Sequence, residues 1–424
     1  MKPLPAILLD CDIRAMEGVV APLGRRGIPL IGLSAKPDCP AFHSRYLTKR
    51  MASPTAADED AFVNFLLQME DKGVVFPSDD LAAMVLARHR GILEAAGHRL
   101  NVPAEDILRI GFDKWRCHQA AERIGIPVPA TCLIEDPEAI EDAAASVGYP
   151  LVIKPTTLAG GNYARVRTPE ELRPGLARMR QVAARPEFRA RRPQFIVQEW
   201  LDYAMDDIWC VETVYNQEGG PVGFLSVRKF RTVIYPDGTY GSRVYAGESL
   251  VNAPLERLTE TLLTRIGWRG FAHLDWIYSR RRDQYYLTEI NPRLPGFSAL
   301  PWKARFDMAY YYYADLAGLP IEPPRPRHLL YFEVLRYPGD LSSALSTIAR
   351  GQYGLGQFLS SYARVLTSGK RFAIDYLDWR DPGMTWANLK SIVRTLLAEL
   401  RGLLLPAEML RRGLAAACRR RLQK

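Results

Sequence analysis

Between Phe271 and Gly296 the chain reads FAHLDWIYSRRRDQYYLTEINPRLPG, a stretch whose polar residues are spaced for chemistry. Phe271 to Tyr278 and Gln284 to Asn291 are rich in aromatic and β-branched residues and read as strands, and the SRRRD between them is short enough for a hairpin loop. A hairpin centred near Arg282 sets Asp275 opposite Glu289, and the alternation of side chains puts Asn291 on the same face. Two carboxylates and an amide carbonyl then crowd one spot. They repel one another unless a cation sits between them, and hard oxygen ligands suit Mg²⁺, with Mn²⁺ as its substitute. Arg293, held between Pro292 and Pro295, is a forked donor suited to a phosphate or a carboxylate. Taken alone, the same residues also fit a hairpin of solvated surface charges, so the stretches upstream decide.

Those stretches run in a definite order. Asp113 is placed to cap a helix that carries Lys114 in its first turn and ends near Gly125. Tyr149 to Pro155 is a short strand with Lys154 at its end, and Thr156 to Val166 follows, containing Gly160 and Gly161. An ammonium at a strand end beside a glycine loop can neutralise phosphate oxygens while backbone N–H groups close over them. Phe195 to Leu201, FIVQEWL, is an apolar strand running into Glu199, Trp200 and Leu201, a combination that suits an adenine pocket. Ile208 to Tyr215 and Val222 to Arg231 form another hairpin across the NQEGG turn, with Lys229 and Arg231 two apart near the Asp275 hairpin.

The series DK before a helix, GIPVPAT, YPLVIKP with its glycine loop, QEWL, and finally D…EINPR resembles the ATP-grasp superfamily of carboxylate-amine and carboxylate-thiol ligases. The resemblance covers about residues 1–320 and looks most like the group that includes D-aspartate ligase. It implies an α/β fold with α+β elements: an N-terminal Rossmann-like domain over 1–110, an ATP-grasp subdomain with the phosphate loop over 111–195, and a second with the metal site over 196–320. A mostly helical C-terminal extension with a basic tail fills 321–424. It implies ATP and Mg²⁺ as cofactors, with Lys114, Lys154, Gly160 and Gly161 on the phosphates and Glu199, Trp200 and Leu201 on the adenine. Asp207 falls to the ribose, in competition with Asp202 and Asp206, and Asp275, Glu289 and Asn291 to the metal. Arg293, with Lys229 or Arg231, would meet the transferred phosphoryl group, and Arg243 belongs to the adjoining loop. Many members place a Ser beside a Gly in the phosphate loop; here Thr156, Thr157 or Asn162 stands in its place. The implied reaction joins a small-molecule carboxylate to an amine through an acyl phosphate, releasing ADP. An ATP-dependent carboxylase, a thioester-forming ligase and a non-catalytic nucleotide sensor are the other readings.

The elements that must carry these residues are those of an ordinary globular chain. The 424 residues exceed one core and suggest two to four domains. Strand and helix alternate up to about residue 110: strands at Ala6–Leu9, Ile28–Leu33 and Gly73–Phe76, with helices over Ala15–Arg26, Asp58–Lys72 and Asp79–Ala96. Ser78 or Asp79 reads as the cap of the last of these, 167–192 as a solvated connecting helix, and 297–318 as a helix containing the YYYY run. The formal charge of +9 lies mainly past residue 389, where nine Lys and Arg face two Glu, so a broad nucleic-acid-binding face is not expected. That tail is amphipathic and offers a peripheral membrane or envelope-assembly contact, against the alternative of a helix packed on its own domain. A homodimer is left open. Six scattered cysteines without a CxxC pair point to a reducing compartment without structural zinc, and the absence of a signal peptide or long apolar run points to the cytoplasm.

Overall fold

The computed structural model describes residues 3–157, 162–185, 193–232, 246–332, 371–374 and 378–394, with isolated positions between 348 and 367. Gly160, Gly161, Arg243 and the tail from 395 onward lie outside the described residues.

Three sheets organise the described chain. The first is parallel: β1 (Ala6–Leu8), β2 (Leu30–Ser34), β3 (Leu47–Ala52) and β4 (Val74–Phe76), in the order β3-β2-β1-β4. β1, β2 and β4 are buried throughout, as strands must be when helices cover both faces. Asp58 and Asp79 cap the following helices by accepting from the N–H groups of Ala61 and Ala82. The helix expected over 79–96 breaks at His89 into Asp80–Arg88 and Arg90–Ala95. β3 was not legible in the sequence because it is a largely exposed edge strand, LTKRMA, without apolar alternation.

The second sheet is antiparallel, β5 (Thr131–Ile134), β6 (Leu151–Pro155), β7 (Ala164–Val166) and β8 (Phe195–Glu199), in the order β5-β8-β6-β7. The connecting helix read as solvated is Leu172–Ala183, and it buries Leu172, Leu176 and Met179 in this sheet's core. Its arginines sit on the opposite face, which is why composition concealed the apolar stripe.

The third sheet carries β9 (Ile208–Tyr215), β10 (Pro221–Arg231), β11 (Ala246–Leu250), β12 (Gly270–Ser279), β13 (Gln284–Asn291), β14 (Leu329–Phe332) and β15 (Phe372–Ile374). Their order is β13-β12-β9-β10-β11-β14-β15. Two strands from beyond residue 321 complete this sheet, the first of them within the strand that the sequence suggests at 329–336.

The first and third sheets share one hydrophobic core. Tyr312 stands at the joint: its ring stacks on Phe271 at 4.4 Å, and its hydroxyl donates to the Val75 carbonyl and accepts from the Asn101 N–H. The helix expected over 297–318 is split into Ala299–Lys303 and Met308–Ala317, and Tyr311, Tyr312 and Tyr313 are all packing residues. Gly270, at φ +67°, opens β12 where a Cβ would lie 2.1 Å from the Asn101 carbonyl oxygen. Only glycine lets the central sheet approach the first unit this closely.

Candidate active site

β12 and β13 pair antiparallel with His273 opposite Asn291 and Asp275 opposite Glu289, the register expected of the hairpin. Asp275 and Asn291 are buried, while the Glu289 side chain lies at the rim, 21% exposed. The carboxylates are reconciled differently from the sequence expectation. Lys229 Nζ lies 2.5 Å from one oxygen of Asp275, and His273 Nε2 lies 3.4 Å from the other. Nδ1 of the same imidazole is 2.6 Å from Glu212 Oε1. A metal is therefore not required to neutralise Asp275, because the protein supplies its own cations.

Sheet order builds this network. β9 flanks β12 with Cys210 opposite Asp275 and Glu212 opposite His273, and Lys229 reaches in from β10, the next strand. Neither Glu212 nor Lys229 has exposed side-chain surface. Burial alone favours the neutral forms, so the charges persist only because they are paired. Burial opposes the charge on Lys229 most, yet the groups around it, Asp275 foremost, together raise the lysine. Burial likewise opposes the imidazolium of His273, but Glu212 and Asp275 raise it to about 9. Asp275 is held well below the usual carboxylate range because Lys229 and His273 together exceed its desolvation. Two carboxylates and two cations close the charge account inside the sheet. Cys210, Glu212 and His273 also bring possible ligand atoms within 4.8 Å of one another.

The predicted phosphate lysines meet at a separate corner. Asp113 caps the Lys114–Ile124 helix by accepting from the N–H groups of Trp115 and Arg116, and Gly125 ends it in the left-handed region at φ +81°. The Lys114 N–H donates to the Thr156 carbonyl, which ties the helix start to the end of β6, where Lys154 sits. Lys114 Nζ is 3.7 Å from Glu289 Oε2. Lys154 donates to Gln198 Oε1 at 2.7 Å and is lowered to about 8, first by burial and then by Lys114, with Glu289 restoring part of the loss. Two ammonium groups thus converge on one carboxylate at this corner. A polyanion would suit it.

The remaining predicted residues are placed as follows. Glu199 ends β8 and is clamped by Arg282 from the turn of the β12–β13 hairpin, with Nη1 3.1 Å from Oε2. Trp200 lies under the guanidinium of Arg165 at 4.1 Å, and Leu201 is buried. Asp207 is committed elsewhere: it accepts from the Ala204 N–H and from Arg280 Nε, and it is 4% exposed. Its two oxygens serve a turn cap and an ion pair. Arg293 bridges units, with Nε 2.9 Å from Asp80 Oδ1 and Nη2 3.1 Å from Asn291 Oδ1. Arg231 is buried beside Lys229, with a bulge in the pairing of β10 and β11 between them.

Sequence reading missed Glu212, His273, Gln198, Arg282 and Asp80. The signal for the first two was present: each is a polar residue on the inner face of an otherwise apolar strand, and His273 is two residues from Asp275. The donor set fits a hard divalent cation. Glu289 is a carboxylate with its nearest lysine at 3.7 Å, and Asn291 adds an amide oxygen beside it.

Residues 113–202 match the family model described as "Carbamoyl-phosphate synthase L chain, ATP binding domain". The chain is 25% identical over 216 residues to the N-terminal section of the carbamoyl phosphate synthase large chain of Methanopyrus kandleri, a match covering 48% of this chain and 35% of that one. It is also 25% identical over 224 residues to the D-alanine--D-alanine ligase of Ectopseudomonas mendocina, covering 51% of this chain and 67% of the ligase. The match thus spans about a third of the carbamoyl phosphate synthase section. In structure it resembles a biotin carboxylase complex with β,γ-ATP from Campylobacter jejuni, with a TM-score of 0.60 at 15% identity over 77% of this chain and 74% of that one. The structural likeness shows the fold, and the family match includes Lys114 and Lys154.

Proposed function

We propose that this chain, a member of the ATP-grasp superfamily, is an ATP-dependent carboxylate-amine ligase. The observation that carries the reading is the convergence of Lys114, Lys154 and Glu289 from three elements into one corner, with Lys114 close enough to lower Lys154. We assign Lys114 and Lys154, with Gly160 and Gly161, to the phosphates of ATP, and Glu199, Trp200 and Leu201 to the adenine. Glu289 and Asn291 would hold Mg²⁺, which when bound neutralises phosphate oxygens, while Asp275 stays paired with Lys229 and His273.

In the reaction the γ-phosphoryl group passes from ATP to an oxygen of the substrate carboxylate, and ADP leaves. The amine lone pair then attacks the acyl carbon, the bond from that carbon to the phosphate oxygen breaks, and the nitrogen gives up a proton. Arg293 and Arg231 stand by the charge that develops on the acyl phosphate, and Lys229 acts through the carboxylate of Asp275 that it holds. We divide the chain near residues 110, 195 and 320, and we place it in the cytoplasm with small molecules as its substrates. Among the described residues no helix is long and apolar enough to cross a membrane, and Cys11, Cys39, Cys117, Cys132 and Cys210 are free thiols.

The test is ADP release from ATP and Mg²⁺ in pools of amino acids and small carboxylic acids, with mass spectrometry of the product. Amine-dependent ADP formation and a product lighter by one water than its summed substrates are expected. The likeness to a biotin carboxylase favours a second reading, in which bicarbonate is the carboxylate that is activated. Turnover that requires bicarbonate and retains its carbon would establish that reading in place of the first.

A further inference from the structure

The C-terminal helix over residues 382–394 has two unlike faces. One is fastened to the first unit. Asp381, with no exposed surface, accepts from the Ser44 hydroxyl and from the Arg45 N–H at 3.0 Å, Asn388 Nδ2 donates to Glu17 Oε2 at 3.0 Å, and Met384 is buried. At Gly383 a Cβ would lie 2.2 Å from the His43 carbonyl oxygen, so the helix start lies directly on the body. Arg25 pairs with Asp378 just ahead of it, and Arg394 lies 3.6 Å from Asp38. The helix is thus held in one orientation by buried polar contacts.

The other face is turned outward and carries what a soluble surface seldom displays. Trp386 is 64% exposed, Val393 54%, and Trp379, in the turn that precedes the helix, 79%. Trp386, Lys390 and Val393 recur at spacings of four and three, which places them on one side of the helix. Indole rings interleaved with lysine and arginine are the chemistry of a membrane–water interface, where the ring enters the headgroup layer and the long basic chain reaches phosphate. The sequence beyond this helix adds basic charge but no further aromatic residue. Residues 395–424 hold seven Lys and Arg against two Glu, amid a leucine-rich stretch.

We propose that this face docks the protein on an anionic lipid surface, with Trp379 and Trp386 entering the interface and Lys390 meeting the headgroups. Charge complementarity favours this occupant over an acidic protein, because the same face offers aromatic and aliphatic surface for acyl chains. The body's polar contacts to Asp381 and Asn388 point the indoles outward, so docking needs no rearrangement of the described residues. It adds nothing to the ligase assignment and depends on none of its residues.

The test uses the full chain with phosphatidylcholine vesicles containing phosphatidylglycerol, and with pure phosphatidylcholine vesicles as control. The protein should sediment with the anionic vesicles and not with the neutral ones. Its tryptophan emission should shift to the blue, and brominated acyl chains should quench it. Trp379→Ala with Trp386→Ala should weaken partitioning at least about tenfold while ATP binding is unchanged. Lys390→Glu should weaken it by roughly fivefold or more, and added salt should do the same. Absence of sedimentation at low ionic strength would overturn the proposal, as would partitioning that the double variant leaves unaltered. So would light scattering that shows a dimer of the wild type, a monomer of the double variant and no lipid binding, because the face would then join two copies of the chain.

Discussion

Substitution of Lys229 by Met tests whether Asp275 depends on an internal counter-ion. The ammonium is fully buried and 2.5 Å from a carboxylate whose side chain is 9% exposed. Methionine fills nearly the same volume, so packing is largely kept and the charge is what is lost. Asp275 would retain His273, at 3.4 Å, as a partial partner. Breaking a buried pair by removing one member costs about 3–5 kcal/mol, and the surviving partner sets the expectation at the lower end, about 3 kcal/mol. For a cooperative unit of this kind that is a fall of roughly 10 °C in the unfolding midpoint, read by calorimetry without nucleotide. Adding Asp275→Leu should recover about half of the loss, since the stranded carboxylate is gone and only a His273 donor is left without its acceptor. A Lys229→Met protein that melts within about 1 °C of the wild type would refute the pairing, as would a double variant whose loss is the sum of the two single losses.

Three further outcomes follow from the described contacts. Lys154, lowered to about 8 by burial and by Lys114, holds fewer protons when folded than when unfolded between about pH 8 and its free value near 10.4, so its contribution to ligand-free stability rises across that window. Nucleotide phosphates reverse the shift, and ATP binding near pH 9 should take up a proton. Titration calorimetry in two buffers of different ionisation enthalpy reads that uptake, and its persistence in Lys154→Met would assign the proton elsewhere. Glu289→Gln, at the rim, should cut ADP release on the order of 100-fold while the midpoint stays within about 1 °C; wild-type turnover would remove Glu289 from the metal. Gly270→Ala sets a methyl group 2.1 Å from the Asn101 carbonyl at a positive φ and should destabilise by more than about 1 kcal/mol in a denaturant titration, whereas an unchanged midpoint would show that the joint between the two sheets can yield.

The hairpin was legible because everything it needs is local: strand propensity, a short turn and a period of two fix Asp275 opposite Glu289. The Asp113 cap and the Gly125 stop were legible for the same reason. Arg282 was missed because its partner, Glu199, is 83 residues away in another sheet. The order β5-β8-β6-β7 could not be read either, since only pairing between distant segments defines it. Lys229 could be read as lying near the Asp275 hairpin, but Glu212 and His273 come from two further strands, and only the order β12-β9-β10 brings all three together. A sequence shows each as an isolated charge in an apolar run. Such a charge looks like an error until its neighbour across the sheet is known.

That difference separates the two layers of the site. Below, Glu212, His273, Asp275 and Lys229 pair with one another in a buried layer of the sheet. Above, Lys114 and Lys154 face Glu289, and Lys154 is lowered first by burial and then by Lys114. A protein gains nothing in stability by holding two ammonium groups close together on rigid elements. The arrangement is explained if a polyanionic ligand binds there, and a rigid floor of paired charges keeps the lysines from being answered from within the sheet. The lysines at the rim and the paired charges beneath them are therefore one design, and a variant that disturbs the floor should loosen nucleotide binding even where it touches no nucleotide atom.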